Sequence, residues 1–197
     1  MKKMKSYFAV WCLAIFFSTN VFAKTAEKAK PVVTTEVAYL AGGCFWGMDD
    51  LLRKLPGVTH TEVGYMGGKV PNATYNTVKT GTSNHAETVK VEFDSRRLSY
   101  EDLLLYFFKI HDPTTLNRQG NDIGTQYRSA IFYGSDQQKN TAFNVIARVD
   151  KSKAWGKPVT TVVSKAEEFW KAEEYHQDYL QKNPDGYTCH FIRKVEF

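Results

Sequence analysis

Apolar and polar residues follow two different periods along this chain, and together they predict a mixture of strands and helices. Residues 87–94, "ETVKVEFD", alternate strictly, which is typical of a strand with one buried face. From Cys44 onward, apolar residues recur at helical spacing until Pro56-Gly57, which predicts a helix that ends there. The same reasoning predicts further strands at 37–41, 127–134 and 159–163 and helices between Ser99 and Pro113, at 135–153 and at 166–183.

Strands and helices are interspersed along the chain, and a long connection separates residues 60 and 87. This order predicts an α+β fold of one domain, with a mixed sheet and packed helices in a two-layer α/β sandwich. The pattern leaves the order of the strands in the sheet open.

The first 23 residues have the organisation of a secretory signal peptide. Three lysines precede an apolar run at 7–17, and Val21-Phe22-Ala23 resembles a cleavage site. A membrane anchor is the alternative, but this run is well short of the roughly 20 residues that span a bilayer. We therefore predict a signal peptide at 1–23, a polar flexible leader at 24–36, a catalytic domain at 37–197, and a periplasmic or secreted protein with no membrane attachment after cleavage.

Removing residues 1–23 changes both the charge and the cysteine count. The formal net charge is +5 for the whole chain, and the shortened chain has 23 basic and 21 acidic residues, about +2. Without a clustered basic face, no nucleic-acid partner is expected. Two cysteines, Cys44 and Cys189, remain. In an oxidising compartment they could form a structural disulfide. The residues around each cysteine must therefore decide between a structural and a chemical role.

Cys44 lies at a glycine-rich corner between a predicted strand and a predicted helix. The positive end of a helix favours thiolate, so this position predicts a lowered thiol pKa. Gly42 and Gly43 would allow a ligand to approach, and Phe45 and Trp46 would form an apolar wall suited to a methyl group. A small buried core residue is the alternative interpretation of this cysteine.

Other polar residues lie at the mouths of predicted strands. Glu87 would become a proton donor if burial and a neighbouring negative charge raised its pKa. Asp122 and Tyr127 lie in a glycine-rich approach to the next strand, where a turn residue and a surface aromatic are the simpler interpretations. Cys189 follows a Pro-Asp-Gly turn in a predicted mobile tail. A tail thiol of this kind can condense with a sulfenic acid to form a disulfide.

Five motifs together resemble those of the A-type peptide-methionine sulfoxide reductases, over about residues 38–191. They are "GCFWG" at 43–47, "GYMGG" at 64–68, "PNATYNTV" at 71–78, "HAE" at 85–87 and "GNDIGTQYRSAIF" at 120–132. The resemblance implies reduction of the S epimer of methionine sulfoxide in oxidised proteins, as a repair of oxidative damage.

The resemblance also implies roles for particular residues. Cys44 would be the nucleophile, Glu87 the acid and Cys189 the resolving thiol. Phe45 and Trp46 would form the methyl pocket. Tyr75 and Tyr127 would donate hydrogen bonds to the sulfoxide oxygen, and Asp122 would support the site. The resemblance implies no metal and no organic cofactor, an external thioredoxin-like dithiol as reductant, and oxidised proteins or peptides as substrates. We also expect a monomer.

Two other classes of protein remain as alternatives. A cysteine hydrolase would use Cys44 with His85 as base and would need an orienting partner for that histidine. A non-enzymatic exported module would use Cys44 and Cys189 as a permanent staple. A thioredoxin-like oxidoreductase is weaker, because the sequence contains no C-x-x-C.

Overall fold

The computed structural model describes residues 34–197, so the predicted signal peptide and most of the predicted leader lie outside the described residues. The strands are β1 Thr35–Gly42, β2 Val58–Met66, β3 Ala86–Asp94, β4 Arg118–Gln119, β5 Asp122–Ile123, β6 Ser129–Tyr133, β7 Val162–Lys165 and β8 Trp170–Lys171. The α-helices are α1 Phe45–Leu52, α2 Tyr75–Val78, α3 Tyr100–Ile110, α4 Asp136–Ser152 and α5 Tyr179–Lys182, and short 3₁₀ helices form at Thr125–Tyr127 and Glu174–His176.

Six strands form one mixed sheet in the order β7-β6-β1-β3-β2-β8. All neighbouring pairs are antiparallel except β6 and β7, which are parallel and are joined through α4. A parallel pair needs a crossover connection of this kind, because a tight turn can join only antiparallel strands. The short strands β4 and β5 form a separate two-stranded ribbon.

The two faces of the sheet are buried differently, as β1 illustrates. Ala38 and Leu40 point into the main core with residues of α1, α3 and α4, whereas Tyr39 and Ala41 belong to a smaller cluster on the opposite face. The helices thus cover one face of the sheet, and the predicted α+β sandwich is confirmed. Within residues 34–197, no helix has the length and apolar character needed to cross a bilayer.

Several predicted elements form with small changes at their ends. Ser99 caps α3, since its hydroxyl oxygen accepts a hydrogen bond from the Asp102 amide at 3.0 Å. The strand predicted to begin at residue 127 begins at Ser129, because the preceding residues close a 3₁₀ turn. The helix predicted from Cys44 begins at Phe45, with Cys44 in the N-cap position.

The long connection predicted between residues 60 and 87 is shorter than expected and begins after Met66, because residues 61–66 belong to β2. The second half of β2, from Val63 to Met66, is buried on both sides and therefore lacks the alternation of a half-buried strand. Gly64 faces the backbone of Trp170, which pairs with β2 at the edge of the sheet.

The helix predicted at 166–183 was wrong over most of its length, and only its end, Tyr179–Lys182, is helical. Its Ala, Glu and Lys residues favour a helix, but the chain here pairs with β2 as β8 and then closes a 3₁₀ turn. Gln177 stabilises this path because its amide group exchanges two hydrogen bonds of 2.9 Å with the Val63 backbone and donates another to the Ala172 carbonyl. Tertiary pairing therefore outweighs the local helix propensity.

Candidate active site

Cys44 lies between the end of β1 and the start of α1, and its residue is only 7% exposed. Beside it is a cavity of about 180 Å³ lined by Cys44, Phe45, Trp46, Tyr75, Glu87, Asp122, Tyr127 and Tyr187. Seven of these eight residues were predicted from the sequence as site residues, and they come from five separate segments of the chain. Cys189, the remaining predicted residue, lies next to the cavity and contacts one of its walls.

Glu87 reaches the site because of its position in β3. Its side chain lies on the same face as Val89 and Val91, which pack against the helices, and the residue is 3% exposed. One carboxyl oxygen accepts a hydrogen bond of 3.0 Å from the Phe45 amide, the first of α1. Burial, with a smaller contribution from Asp122, raises the pKa of Glu87 to about 8, despite that amide. The upward shift of the Glu87 pKa agrees with the prediction, and Glu87 holds a proton at neutral pH.

The expectation of a lowered thiol pKa for Cys44 was wrong. Burial strongly raises the pKa of the thiol, and Glu87 raises it further once that carboxyl group is ionised. The Trp46 amide at the start of α1 acts in the predicted direction, but its effect is smaller than the cost of desolvating a thiolate. The resting site therefore contains a protonated thiol beside a protonated carboxyl group.

Tyr75 and Tyr127 bring two hydroxyl groups to the cavity from α2 and from the 3₁₀ turn before β6. Burial and the neighbouring Glu87 raise the pKa of both phenols. Both therefore remain hydrogen-bond donors across the physiological pH range. Tyr187 lines the cavity as well, and the sequence analysis missed it although it lies in the "GYTCH" segment that contains Cys189.

Asp122 links the cavity to the second cysteine. One of its carboxylate oxygens accepts a hydrogen bond of 3.2 Å from the Tyr187 hydroxyl and lies 3.5 Å from the Cys189 sulfur. The Cys189 residue is half-buried, and burial followed by the charge of Asp122 raises the pKa of its thiol to about 11. Both Cys44 and Cys189 are free thiols.

The tail that carries Cys189 follows an irregular path after α5, but it is anchored. The His190 residue is 7% exposed, and its Nε2 lies 2.9 Å from the Gly42 carbonyl oxygen, to which it donates. Gly43, with φ of +111°, lies against Gln119 and then His190, and Gly42 lies against His111, Met48 and Phe107. Gly47 in α1 lies directly against Thr188 and His190. The suggestion that the glycines beside Cys44 open a path for substrate was therefore wrong, because protein side chains occupy that space.

His85 is hydrogen-bonded to the backbone through both ring nitrogens and does not line the cavity beside Cys44. Its Nδ1 lies 3.1 Å from the Gly68 amide, from which it accepts, and its Nε2 lies 2.8 Å from the Val70 carbonyl oxygen. Both ring nitrogens are thus used, which argues against a Cys44–His85 hydrolase.

Trp46 is held by two residues that the sequence analysis placed in a helix and did not assign to the site. Its indole N–H donates to Nδ1 of His176 at 3.1 Å, and its ring stacks on Tyr179 with centroids 3.7 Å apart. Their place beside Trp46 depends on the irregular path after β8, which local sequence does not reveal. Within residues 34–197, no group of three or more His, Cys, Asp or Glu side chains is arranged to hold a metal ion.

A family model described as peptide methionine sulfoxide reductase matches residues 36–196. The chain belongs to this family. A peptide methionine sulfoxide reductase MsrA of Pseudomonas fluorescens is 56% identical over 162 residues, which cover 82% of this chain and 76% of the relative. The MsrA of Leifsonia xyli is 58% identical over 159 residues, which cover 81% of this chain and 92% of that protein.

Solved structures of the same family share the fold. The reduced form of Mxr1 from Saccharomyces cerevisiae has a TM-score of 0.77 at 36% identity, covering 86% of this chain and 98% of Mxr1. Methionine sulfoxide reductase A of Corynebacterium diphtheriae has a TM-score of 0.75 at 39% identity, covering 81% of this chain and 79% of its own. The chain therefore catalyses thiol-dependent reduction of the S epimer of peptide methionine sulfoxide.

Proposed function

We propose that Cys44 reduces methionine sulfoxide by direct attack on sulfur, with Glu87 as the acid. One observation carries this proposal: the thiol, the protonated carboxyl group and two phenolic hydroxyls line a single small cavity with an aromatic wall. A sulfoxide needs a nucleophile at sulfur, proton donors at oxygen and an apolar contact for its methyl group. The three requirements are met here by different walls of the cavity.

The first step transfers the sulfoxide oxygen to the enzyme. The Cys44 sulfur forms a bond to the substrate sulfur, while Glu87 donates its proton to the oxygen and the thiol proton leaves to the carboxylate so formed. Tyr75 and Tyr127 donate hydrogen bonds to the same oxygen as charge develops on it. The oxygen then passes to the enzyme: a Cys44 sulfur–oxygen bond forms while the sulfur–sulfur bond and the substrate sulfur–oxygen bond break, so the products are methionine and a Cys44 sulfenic acid. Phe45 and Trp46 hold the methyl group throughout this step.

The second step removes the sulfenic acid. The Cys189 sulfur attacks the Cys44 sulfur, the Cys44 sulfur–oxygen bond breaks, and the hydroxyl leaves as water with the proton of the Cys189 thiol. The product is a Cys44–Cys189 disulfide. Asp122 supports this step because its carboxylate lies beside the Cys189 thiol and can accept its proton. Closure requires the tail to bring Cys189 to Cys44, and the irregular tail allows this movement.

A thioredoxin-like dithiol restores the enzyme by thiol–disulfide exchange in this scheme. The support is indirect: Mxr1 of yeast, which this chain resembles, has been solved in complex with Trx2. No organic cofactor or metal ion is required, because the electrons come from the dithiol. We expect the enzyme to act as a monomer. Sedimentation analysis of residues 24–197 would test this, and a single species with the mass of one chain is expected.

We further propose that the chain is exported and that residues 1–23 are removed. The pattern of three lysines, an apolar run and a small-residue cleavage site supports this proposal. In an oxidising compartment the reductant must be a dedicated dithiol protein. Expression of the full chain in a bacterium, followed by fractionation and N-terminal sequencing, tests both points. A mature protein that begins at Lys24 in the periplasmic or secreted fraction is expected, and an uncleaved cytoplasmic protein would contradict them.

A single-turnover experiment tests the proposed chemistry. Reduced enzyme is mixed with a peptide that contains methionine S-sulfoxide, without added reductant, and methionine and free thiols are counted. Wild type should form about one methionine per enzyme and lose both thiols, whereas Cys44→Ser should form none. If wild type forms no methionine while its thiols remain reactive, the proposal is wrong.

A further inference from the structure

Glu173 lies outside the cavity, but its carboxylate contacts α2, which supplies Tyr75 to the cavity wall, and the buried part of β2. One oxygen accepts a hydrogen bond of 2.9 Å from the Tyr75 amide at the start of α2. The other accepts a hydrogen bond of 3.0 Å from the hydroxyl of Tyr65, a fully buried residue of β2. This side chain is 32% exposed and lies immediately before the Glu174–His176 turn.

The same carboxylate faces His176. The indole N–H of Trp46 can only donate, so Nδ1 of His176 must accept and the ring proton must lie on Nε2. That Nε2 is buried without a hydrogen-bond partner, and a carboxylate oxygen of Glu173 lies 3.9 Å from it. A negative charge at this distance stabilises the proton on Nε2 and therefore the tautomer that accepts from Trp46.

We propose that Glu173 is the positioning residue for two walls of the active site, holding Tyr75 directly and Trp46 through His176. The inference rests on the proposed function, in which Trp46 contacts the substrate methyl group and Tyr75 contacts the sulfoxide oxygen. One carboxylate thereby sets the distance between the methyl wall and an oxygen donor. This distance determines which alkyl group fits beside the sulfur, so Glu173 governs the preference for methyl over larger groups.

The charge state of Glu173 suits this role. Burial alone would raise its pKa, but hydrogen bonds from its own amide, the Tyr75 amide and the Tyr65 hydroxyl outweigh burial and lower the pKa. The side chain is therefore an acceptor with no proton of its own, which three donors around one carboxylate require. An amide in its place could accept from one donor, but its NH₂ group would face the others.

The test compares a methyl with an ethyl substrate. N-acetylmethionine S-sulfoxide and its S-ethyl analogue are each reduced at steady state, with an excess of a dithiol reductant, by wild type, Glu173→Gln and Glu174→Gln, and the ratio of methyl to ethyl kcat/KM is measured. Glu174 is the matched control because its side chain is 80% exposed and forms an ion pair with Lys182 at the surface. Thermal unfolding of each variant accompanies the kinetics.

In Glu173→Gln the methyl-to-ethyl ratio should fall about tenfold, since one methylene in a well-defined apolar pocket changes kcat/KM by about that factor. Glu174→Gln should keep the wild-type ratio. Equal losses for both substrates would overturn the inference, because a loss of folded enzyme scales both rates alike. An unchanged ratio would overturn it as well.

Glu173→Asp provides a second route if Glu173→Gln does not fold. This variant keeps the charge but withdraws the carboxylate by one methylene, so a smaller fall of the same ratio is expected. An unchanged ratio in folded Glu173→Asp overturns the inference. Reduction of the methyl substrate by wild type and Glu174→Gln is required independently, and its absence would contradict the proposed function instead.

Discussion

Cys44 and Cys189 each have a thiol group, but the two thiols lie in different surroundings. Cys44 is held by a strand that ends and a helix that begins, and the cavity beside it supplies a carboxyl group and two tyrosine hydroxyls. Cys189 is held by a tail without regular structure and is half-buried beside one carboxylate. The first thiol has fixed surroundings, and the second has an anchor at the next residue, His190.

The difference indicates what each step of the proposed cycle needs. Attack on a sulfoxide needs several groups arranged around one sulfur, and packed elements of secondary structure provide that precision. Disulfide formation needs a second thiol that approaches when the first is oxidised, which a rigid element would prevent. Burial raises the pKa of both thiols, so neither one is a permanent thiolate in the reduced enzyme.

The largest expected effect separates the two thiols. In Cys189→Ser, steady-state turnover with a thioredoxin-like protein as sole reductant should fall by at least about a thousandfold, because an intramolecular thiol is lost. Single-turnover methionine should remain at about one per enzyme, with a sulfenic acid trapped at Cys44. The measurement is methionine formation in both regimes, with dimedone labelling of the sulfenic acid. Loss of single-turnover methionine would contradict the assignment of sulfoxide reduction to Cys44 and of disulfide formation to Cys189.

A second prediction concerns the surroundings of Cys44 alone. Glu87→Gln should lower the single-turnover rate about a hundredfold, because the amide cannot give a proton to the sulfoxide oxygen. In wild type the rate should decline above about pH 8, where Glu87 loses its proton, and the variant should lack this decline. Rapid-quench rates from pH 6 to 9.5 measure both effects, and the same inflection in both proteins would exclude Glu87 as its source.

A third prediction concerns the anchor of the tail. In Gly47→Ala the new methyl group would meet Thr188 and the imidazole of His190, so the tail must shift. Disulfide formation should slow by about tenfold, since a small misplacement of a reacting group costs about that much or more. Methionine release in the first turnover should be unchanged. Thiol loss measured against methionine release distinguishes the steps, and equal slowing of both would count against a separate anchor.

The smallest expected effect is on stability. The pKa of Glu87 is about 8 in the folded protein against an ordinary 4.5, so between these values the folded state binds more protons than the unfolded state. Stability should therefore fall as pH rises from about 4.5 to about 8, by a few kcal/mol at most. Glu87→Gln removes this contribution. Urea unfolding at several pH values compares the two, and parallel pH profiles would contradict the buried protonated carboxyl group.

Strand β3 could be predicted because half-buried Lys90 and Glu92 alternate with buried valines and a phenylalanine, and α3 could be predicted because apolar residues recur on its buried face. β2 could not, since residues 63–66 are buried on both faces and show no alternation. The prediction for segment 166–183 failed for another reason. Its composition favours a helix, but pairing with β2 and the hydrogen bonds of Gln177 override that preference. Local pattern fails where burial is two-sided or where an edge strand forms by tertiary pairing.

The sequence by itself determined the α+β fold and the group of residues around Cys44, because spaced motifs and one-sided burial leave their mark on local pattern. Only the tertiary structure decided the protonation of that site, since desolvation depends on what encloses a group and outweighs the helix terminus at Cys44. It also decided the roles of Tyr187, His176 and Glu173, whose contacts join segments that are far apart in the chain. Local sequence specifies which side chains exist, whereas packing specifies which of them meet and what charge they carry.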